Sequence, residues 1–193
     1  MERSEYKEKS HAADTFDPEY LPPGCGSASI LAKRLRNLLK QQNSNDLPPI
    51  ILCIGTDRII GDSLGPIVGS SLSRTGLHSY VYGTLECPVH ALNLSETLAH
   101  IKKKHPGNTL IAVDASLGSK SHIGSVTVRN GGLHPGAGVR KNLNLTGDIS
   151  VTGVTNTDDS YPWLSLQTAR LSTVVRMADC ISDGILEACK ICM

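Results

Sequence analysis

Apolar residues recur along this chain in two alternating rhythms. From Ser27 to about Gln42, Ile30, Leu31, Leu35, Leu38 and Leu39 fall at helical spacing, with Ser27 placed to cap the helix. The run "PIILCIG" (49–55) is unbroken, as in a strand buried on both faces. After Asp62, "SLGPIVGSSLSRTG" predicts a helix with Pro66 in its first turn, where a missing N–H costs nothing. "HSYVYGTL" (78–85) reads as a second strand, and "ALNLSETLAHIKKKHPG" as a helix closed by Pro106 and Gly107. "TLIAVDAS" (109–116) is a third strand, apolar until Asp114. "IGSVTVRN" (123–130) alternates and suits an edge strand, and "DISVTGVTN" (148–156) is a fifth strand after the glycine-rich "GGLHPGAGVRKNL". From Trp163 onward, Leu171, Val174, Val175, Ala178, Ile181 and Ile185 predict one long amphipathic face.

Helices alternating with short apolar strands imply an α/β fold: a three-layer α/β/α sandwich around a mixed, mostly parallel sheet of about five strands. The expected organisation is a flexible N-terminal tail over 1–25, ending in "LPPG", and a single domain over 26–193. In open α/β sheets, ligands bind outside the carboxyl ends of the strands. Asp57, Asp62 and Asp114 fall at or just beyond such ends. Glu86, after the second strand, and the 131–138 loop are further candidates for the mouth of a site.

Composition narrows the classes. Hydrophobic residues make up 39% of the 193, enough for a packed core. Net charge is +1 and aromatic residues are 4%, so neither a basic stripe nor a base-stacking platform points to nucleic acid. The longest apolar runs, about six residues, are too short to span a bilayer. The first twenty residues are polar without an apolar signal segment, so the expected location is cytoplasmic and reducing. The six cysteines then read as thiols. Cys189 and Cys192 lack the second pair that a zinc site needs, so no metal or cofactor is implied.

The chemistry lies in "GTDRIIGDSLGP" (55–66). A phosphate-binding loop of the Walker type ends in Gly-Lys-Ser/Thr, whereas this one ends in Gly-Pro. Nor do Gly55, Gly61 and Gly65 match the dinucleotide spacing. The glycines suit close backbone approach to a substrate. Two carboxylates brought together share one proton and can serve as a general acid–base pair. The plainer roles are a helix cap for Asp62 and loop hydrogen bonds for Asp114. If the two pair, Asp62 is expected to stay ionised at the helix start, and Asp114, ending an apolar strand, to hold the proton. Cys87 and His90 stand as Cys-x-x-His, but sequence proximity does not place a base beside a nucleophile.

"GTDRIIGDSLGP", "IAVDASLGSK" and "HPGAGV", in this order between about Pro49 and Asn156, resemble the YyaC-like sporulation proteins. More distantly they are similar to the germination protease that degrades small acid-soluble spore proteins, and through it to the hydrogenase maturation endopeptidases. The resemblance implies an atypical aspartate-dependent endopeptidase linked to sporulation or germination, without a cofactor, in the sporulating cell or spore interior. Asp62 and Asp114 match its catalytic aspartates. His134, Gly136 and Gly138 match its glycine-rich loop, and with Asp57 and Glu86 they form the expected substrate-binding set. The partner is then a protein or peptide, with small acid-soluble spore proteins as the example, and a homo-oligomer is compatible. Two other readings stay open. One is a maturation peptidase that reads a metal presented by its substrate through Asp62, Asp114 and one of His90, His122 or His134. The other is a non-catalytic peptide-binding or regulatory module.

Overall fold

The run Ile50–Cys53 forms β1, with all four residues buried. In the computed structural model of the chain, the residues described are 20–22, 24, 26–42, 47–135, 145–158 and 161–190. β1 is flanked in parallel by β2 (Tyr80–Tyr82) and β3 (Leu110–Gly118). β5 (Ile149–Thr157) continues the parallel sheet beyond β3, and β4 (Val126–Asn130) closes it as an antiparallel edge. The order is β2-β1-β3-β5-β4. The expected mixed, mostly parallel five-stranded sheet is therefore present, with the alternating 126–130 strand at its edge.

Side chains alternate across a strand, and this sorts the core into two layers. Ile51, Cys53, Ile111 and Val113 join one cluster with α1 (Ser27–Gln41), α2 (Leu64–Ser73) and α5 (Leu171–Lys190), through Leu31, Leu64, Val68, Met177 and Ile181. Ile50, Leu52, Ile54 and Ala112 pack on the other face with Leu94 and Ile101 of α3 (Leu94–Lys104). The run at 50–54 has no polar position because both of its faces are covered.

The order of connections locates a crevice. From β1 the chain passes through α2 to β2 on one side. It then crosses through α3 to β3 on the other side of β1. The winding reverses between β1 and β3, and the loops leaving these two strands diverge there. Among the described residues, no helix is long and apolar enough to cross a membrane.

Three local expectations change. Ser27 does not cap α1: it is the first helical residue, and its hydroxyl donates to the Pro22 carbonyl at 2.6 Å. Within the segment read as a tail, Leu21 is buried and exchanges two 2.8 Å backbone hydrogen bonds with Val126, while residues 1–19 lie outside the described residues. The long face from Trp163 is broken into α4 (Pro162–Gln167) and α5. The break is stabilised from the sheet, because the Asn156 amide donates to the Ser165 carbonyl at 2.7 Å and to Thr168 Oγ1 at 3.3 Å. The first of these bonds satisfies a carbonyl at the end of α4 that a continuous helix would have paired with its own N–H.

Candidate active site

At the end of β1 the backbone turns sharply. Gly55 has φ 139°, and its N–H donates to the Val89 carbonyl at 2.8 Å. A Cβ at Gly55 would collide with the Asp62 carbonyl oxygen, and one at Gly65 with the Ile54 carbonyl oxygen. These glycines thus let the loop and the start of α2 close down on the strand end. They thereby place Asp62 at the end of β1.

Asp62 sits in a single 3-10 turn, Gly61–Ser63, that feeds α2. Its Oδ2 accepts the Thr56 N–H at 3.0 Å, and its carbonyl oxygen accepts the same N–H at 3.1 Å. Ser63 Oγ donates to the Ile60 carbonyl at 2.6 Å and tightens the turn. Burial pushes the Asp62 carboxyl above the usual carboxylate range, against the opposing pull of the Thr56 N–H and of His90. The helix start is expected to favour the ionised form of Asp62; burial opposes that pull and favours the protonated form. Desolvation outweighs the N–H groups and the charge that favour the carboxylate.

Asp114 comes from β3 and is buried. It follows Ala112 by two residues and so lies on the α3 face of the sheet. Its Oδ1 accepts the Ala115 N–H at 2.8 Å.

Asp62 and Asp114 line one cleft of about 450 Å³ at the carboxyl edge of β1 and β3. Asp57, Thr56 and Arg58 of the β1 loop line it too, as does His90. The ring of His90 accepts the Leu92 N–H at Nδ1, at 3.3 Å, so the neutral imidazole carries its hydrogen on Nε2. Of the three histidines considered from sequence, His90 is the one brought to the aspartates. His122 stacks on Tyr20, ring centroids 3.7 Å apart, and bonds Ser119 at 3.0 Å. His134 is exposed, though the adjacent Pro135 lines the cleft. Gly136 and Gly138 lie outside the described residues.

Glu86 departs from expectation. It is exposed on the turn after β2 and is not among the residues lining the cleft, nor is Cys87. The chain after β2 bends so that Pro88 and His90 face inward instead. Among the described residues, no group of three His, Cys, Asp or Glu side chains is arranged to hold a metal ion.

Sequence reasoning missed the apolar wall. Trp163 and Leu166 of α4, Leu92, and Ser116 and Leu117 of β3 all line the cleft. Trp163, the one tryptophan in the chain, reads from sequence as the start of the long helical face and not as part of a site wall.

The profile of the family described as "Protein of unknown function (DUF1256)" matches residues 27–184. That span holds both aspartates, His90 and the α4 wall. The chain is also similar to the "Uncharacterized protein YyaC" of Bacillus subtilis (strain 168). The two are 40% identical over 157 residues, covering 80% of this chain and 77% of that protein.

Proposed function

The chain belongs to the DUF1256 family, and we propose that it hydrolyses peptide bonds with Asp62 and Asp114 as an acid–base pair. The observation that carries this reading is that two carboxylates, one with its pKa raised by burial, line one cleft at the point where the sheet winding reverses. The resemblance of the three motifs to the germination protease supports the reaction class and a substrate among proteins of sporulation or germination. The free thiols of Cys53, Cys87 and Cys180 accord with a reducing interior such as the cytoplasm of the sporulating cell.

The raised carboxyl assigns the roles. On this reading Asp62, whose protonated form burial favours, is the acid. Asp114 is the base that takes a proton from water as the oxygen attacks the scissile carbonyl. Collapse of the tetrahedral intermediate breaks the C–N bond, and the Asp62 proton goes to the departing amine. The pair ends with its proton on Asp114, and transfer back to Asp62 resets the site. Protons leave such a pair in steps that belong to both residues.

The test is to incubate the full chain with small acid-soluble spore proteins and with an unfolded casein, and to read new N-termini by mass spectrometry. Defined new termini that grow with time are expected. Their absence from every substrate overturns the hydrolysis reading and leaves a peptide-binding module.

A pH dependence follows. Activity needs Asp62 protonated, so kcat/KM should fall as pH rises through its raised pKa. The alkaline limb is expected above the ordinary aspartate range. A profile that still climbs through neutral and alkaline pH would remove Asp62 from the acid role.

A further inference from the structure

β3 outruns its neighbour. It spans Leu110–Gly118, whereas the last rung it shares with the β1 chain is the Ile54 N–H on the Val113 carbonyl at 2.7 Å. At Gly55 the β1 chain turns away to bond Val89. On its other side β3 stays paired with β5, through a register shift on β5 between Ser116↔Val154 and Leu117↔Asn156, to the Gly118↔Thr157 step, where the Asp158 N–H donates to the Gly118 carbonyl at 2.9 Å.

Backbone groups of a parallel strand point alternately to its two neighbours. The Leu110 and Gly118 carbonyls accept from the β5 side, whereas the Thr109 and Val113 carbonyls accept from β1. Continuing that alternation directs the Ala115 carbonyl and the Leu117 N–H and carbonyl toward the β1 side, beyond the point where β1 has left. Among the described residues no strand lies beside them there. Ala115, Ser116 and Leu117 line the cleft, immediately after Asp114.

We propose that the substrate binds as an extended polypeptide strand, pairing with the open edge of β3 over Ala115–Leu117 and laying apolar side chains against Trp163, Leu166 and Leu92. An acceptor, a donor and a second acceptor spaced along a strand edge match an extended peptide backbone, which offers complementary groups at the same repeat. The pairing continues the sheet into the site and sets a peptide bond beside Asp114. Leu92 is 81% exposed and Trp163 52% exposed, so both flank the cleft with apolar surface that a bound chain would cover. The inference deepens the hydrolysis reading, and rests on it only for the identity of the bond that reacts.

The experiment uses the full chain and synthetic acetylated octapeptides free of tryptophan. The parent has leucine at alternate positions between threonines. Two derivatives carry N-methyl groups on alternate backbone amides, one set for each edge of the extended peptide. A fourth peptide replaces leucine by serine. Affinity is read by calorimetry, and occupation of the cleft by the emission of Trp163, the single tryptophan. The parent is expected to bind saturably and to shift that emission to the blue. N-methylation along one edge should weaken binding about 10-fold or more, and along the other by less than about 3-fold, as expected when one edge alone is hydrogen-bonded. The serine peptide should bind more weakly than the parent. Failure of the parent to bind, or equal effects of methylation on the two edges, overturns the inference. Edge-dependent binding without any cleavage would leave it standing while the hydrolysis reading falls. Cleavage indifferent to the methylated edge would do the reverse.

Discussion

Asp62→Asn is expected to lose about 10²–10⁴-fold in peptide cleavage while resisting unfolding better than the parent protein at about pH 8. The two effects have one cause. Burial raises the folded-state pKa of Asp62, so the folded protein binds that proton more tightly than the unfolded chain does. For an acid this contribution to stability is fully present below the ordinary aspartate pKa and is lost as pH rises through the raised value. At alkaline pH the protein therefore carries an ionised carboxylate that its surroundings disfavour. Asparagine never ionises, and its Oδ1 can still accept the Thr56 N–H. Urea unfolding near pH 4, 6 and 8, beside kcat/KM on the same samples, reads both effects. The stability gap between variant and parent should shrink toward the acid end. Asp114→Asn should lose activity by a comparable factor, because it keeps an acceptor for the Ala115 N–H but no longer takes a proton from water. An Asp62→Asn protein that cleaves normally would end the dyad. One less stable than the parent at every pH would show that the carboxylate is held by favourable bonds and not by desolvation.

Gly65→Ala is expected to destabilise the fold by about 3 kcal/mol, even though alanine is the better helix former by roughly 1 kcal/mol. Gly65 lies in the first turn of α2, where the helix rests directly on the end of β1. A Cβ there would overlap the Ile54 carbonyl oxygen and lie 2.8 Å from both the carbonyl carbon and the nitrogen of the same residue. These are backbone atoms of a strand paired on both sides, so they cannot step aside as a side chain would. The helix must lift instead. Lifting it moves the 3-10 turn that holds Asp62, so activity should fall with stability. In a domain of this size the melting temperature should drop by roughly 6–12 °C. Thermal unfolding followed by circular dichroism decides the sign. An unchanged or higher midpoint would mean that propensity outweighs the contact.

β1 was legible because it is apolar on both faces, and Ile50–Ile54 admits no other reading at that length. β4 was legible as an edge because it alternates. The shared position of Asp62 and Asp114 was legible because strand ends in an α/β fold converge on one side. What was not legible depends on contacts distant in sequence. The separation of α4 from α5 is fixed by Asn156, a residue of β5 that nothing local connects with Ser165. The inward turn of His90 and the outward turn of Glu86 follow from how 86–93 packs after β2, where the Asn93 side chain accepts the His90 N–H at 2.8 Å and donates to the Pro88 carbonyl at 3.0 Å. The upward shift of Asp62 was not legible because a helix start can be read from sequence, whereas burial cannot. The glycines of the 55–66 loop were rightly seen as demanding close approach, but the partner is the protein's own backbone.

The pairing of Leu21 with Val126 has a consequence for life in a crowded cell. β4 closes the sheet, and the outer edge of such a strand is a template on which a second molecule can add its own strand. Leu21 fills both hydrogen-bonding positions at Val126 and buries its side chain there, so the start of that edge is already occupied by the chain itself. Polar Arg129 and Asn130 mark the other end. A proteolytic cut just after Pro22 would remove Leu21 from the core and uncover the hydrogen-bonding groups of Val126, while leaving the cleft residues in the chain. Leu21 therefore occupies, within the chain itself, the edge groups at Val126 that a strand of another molecule would need.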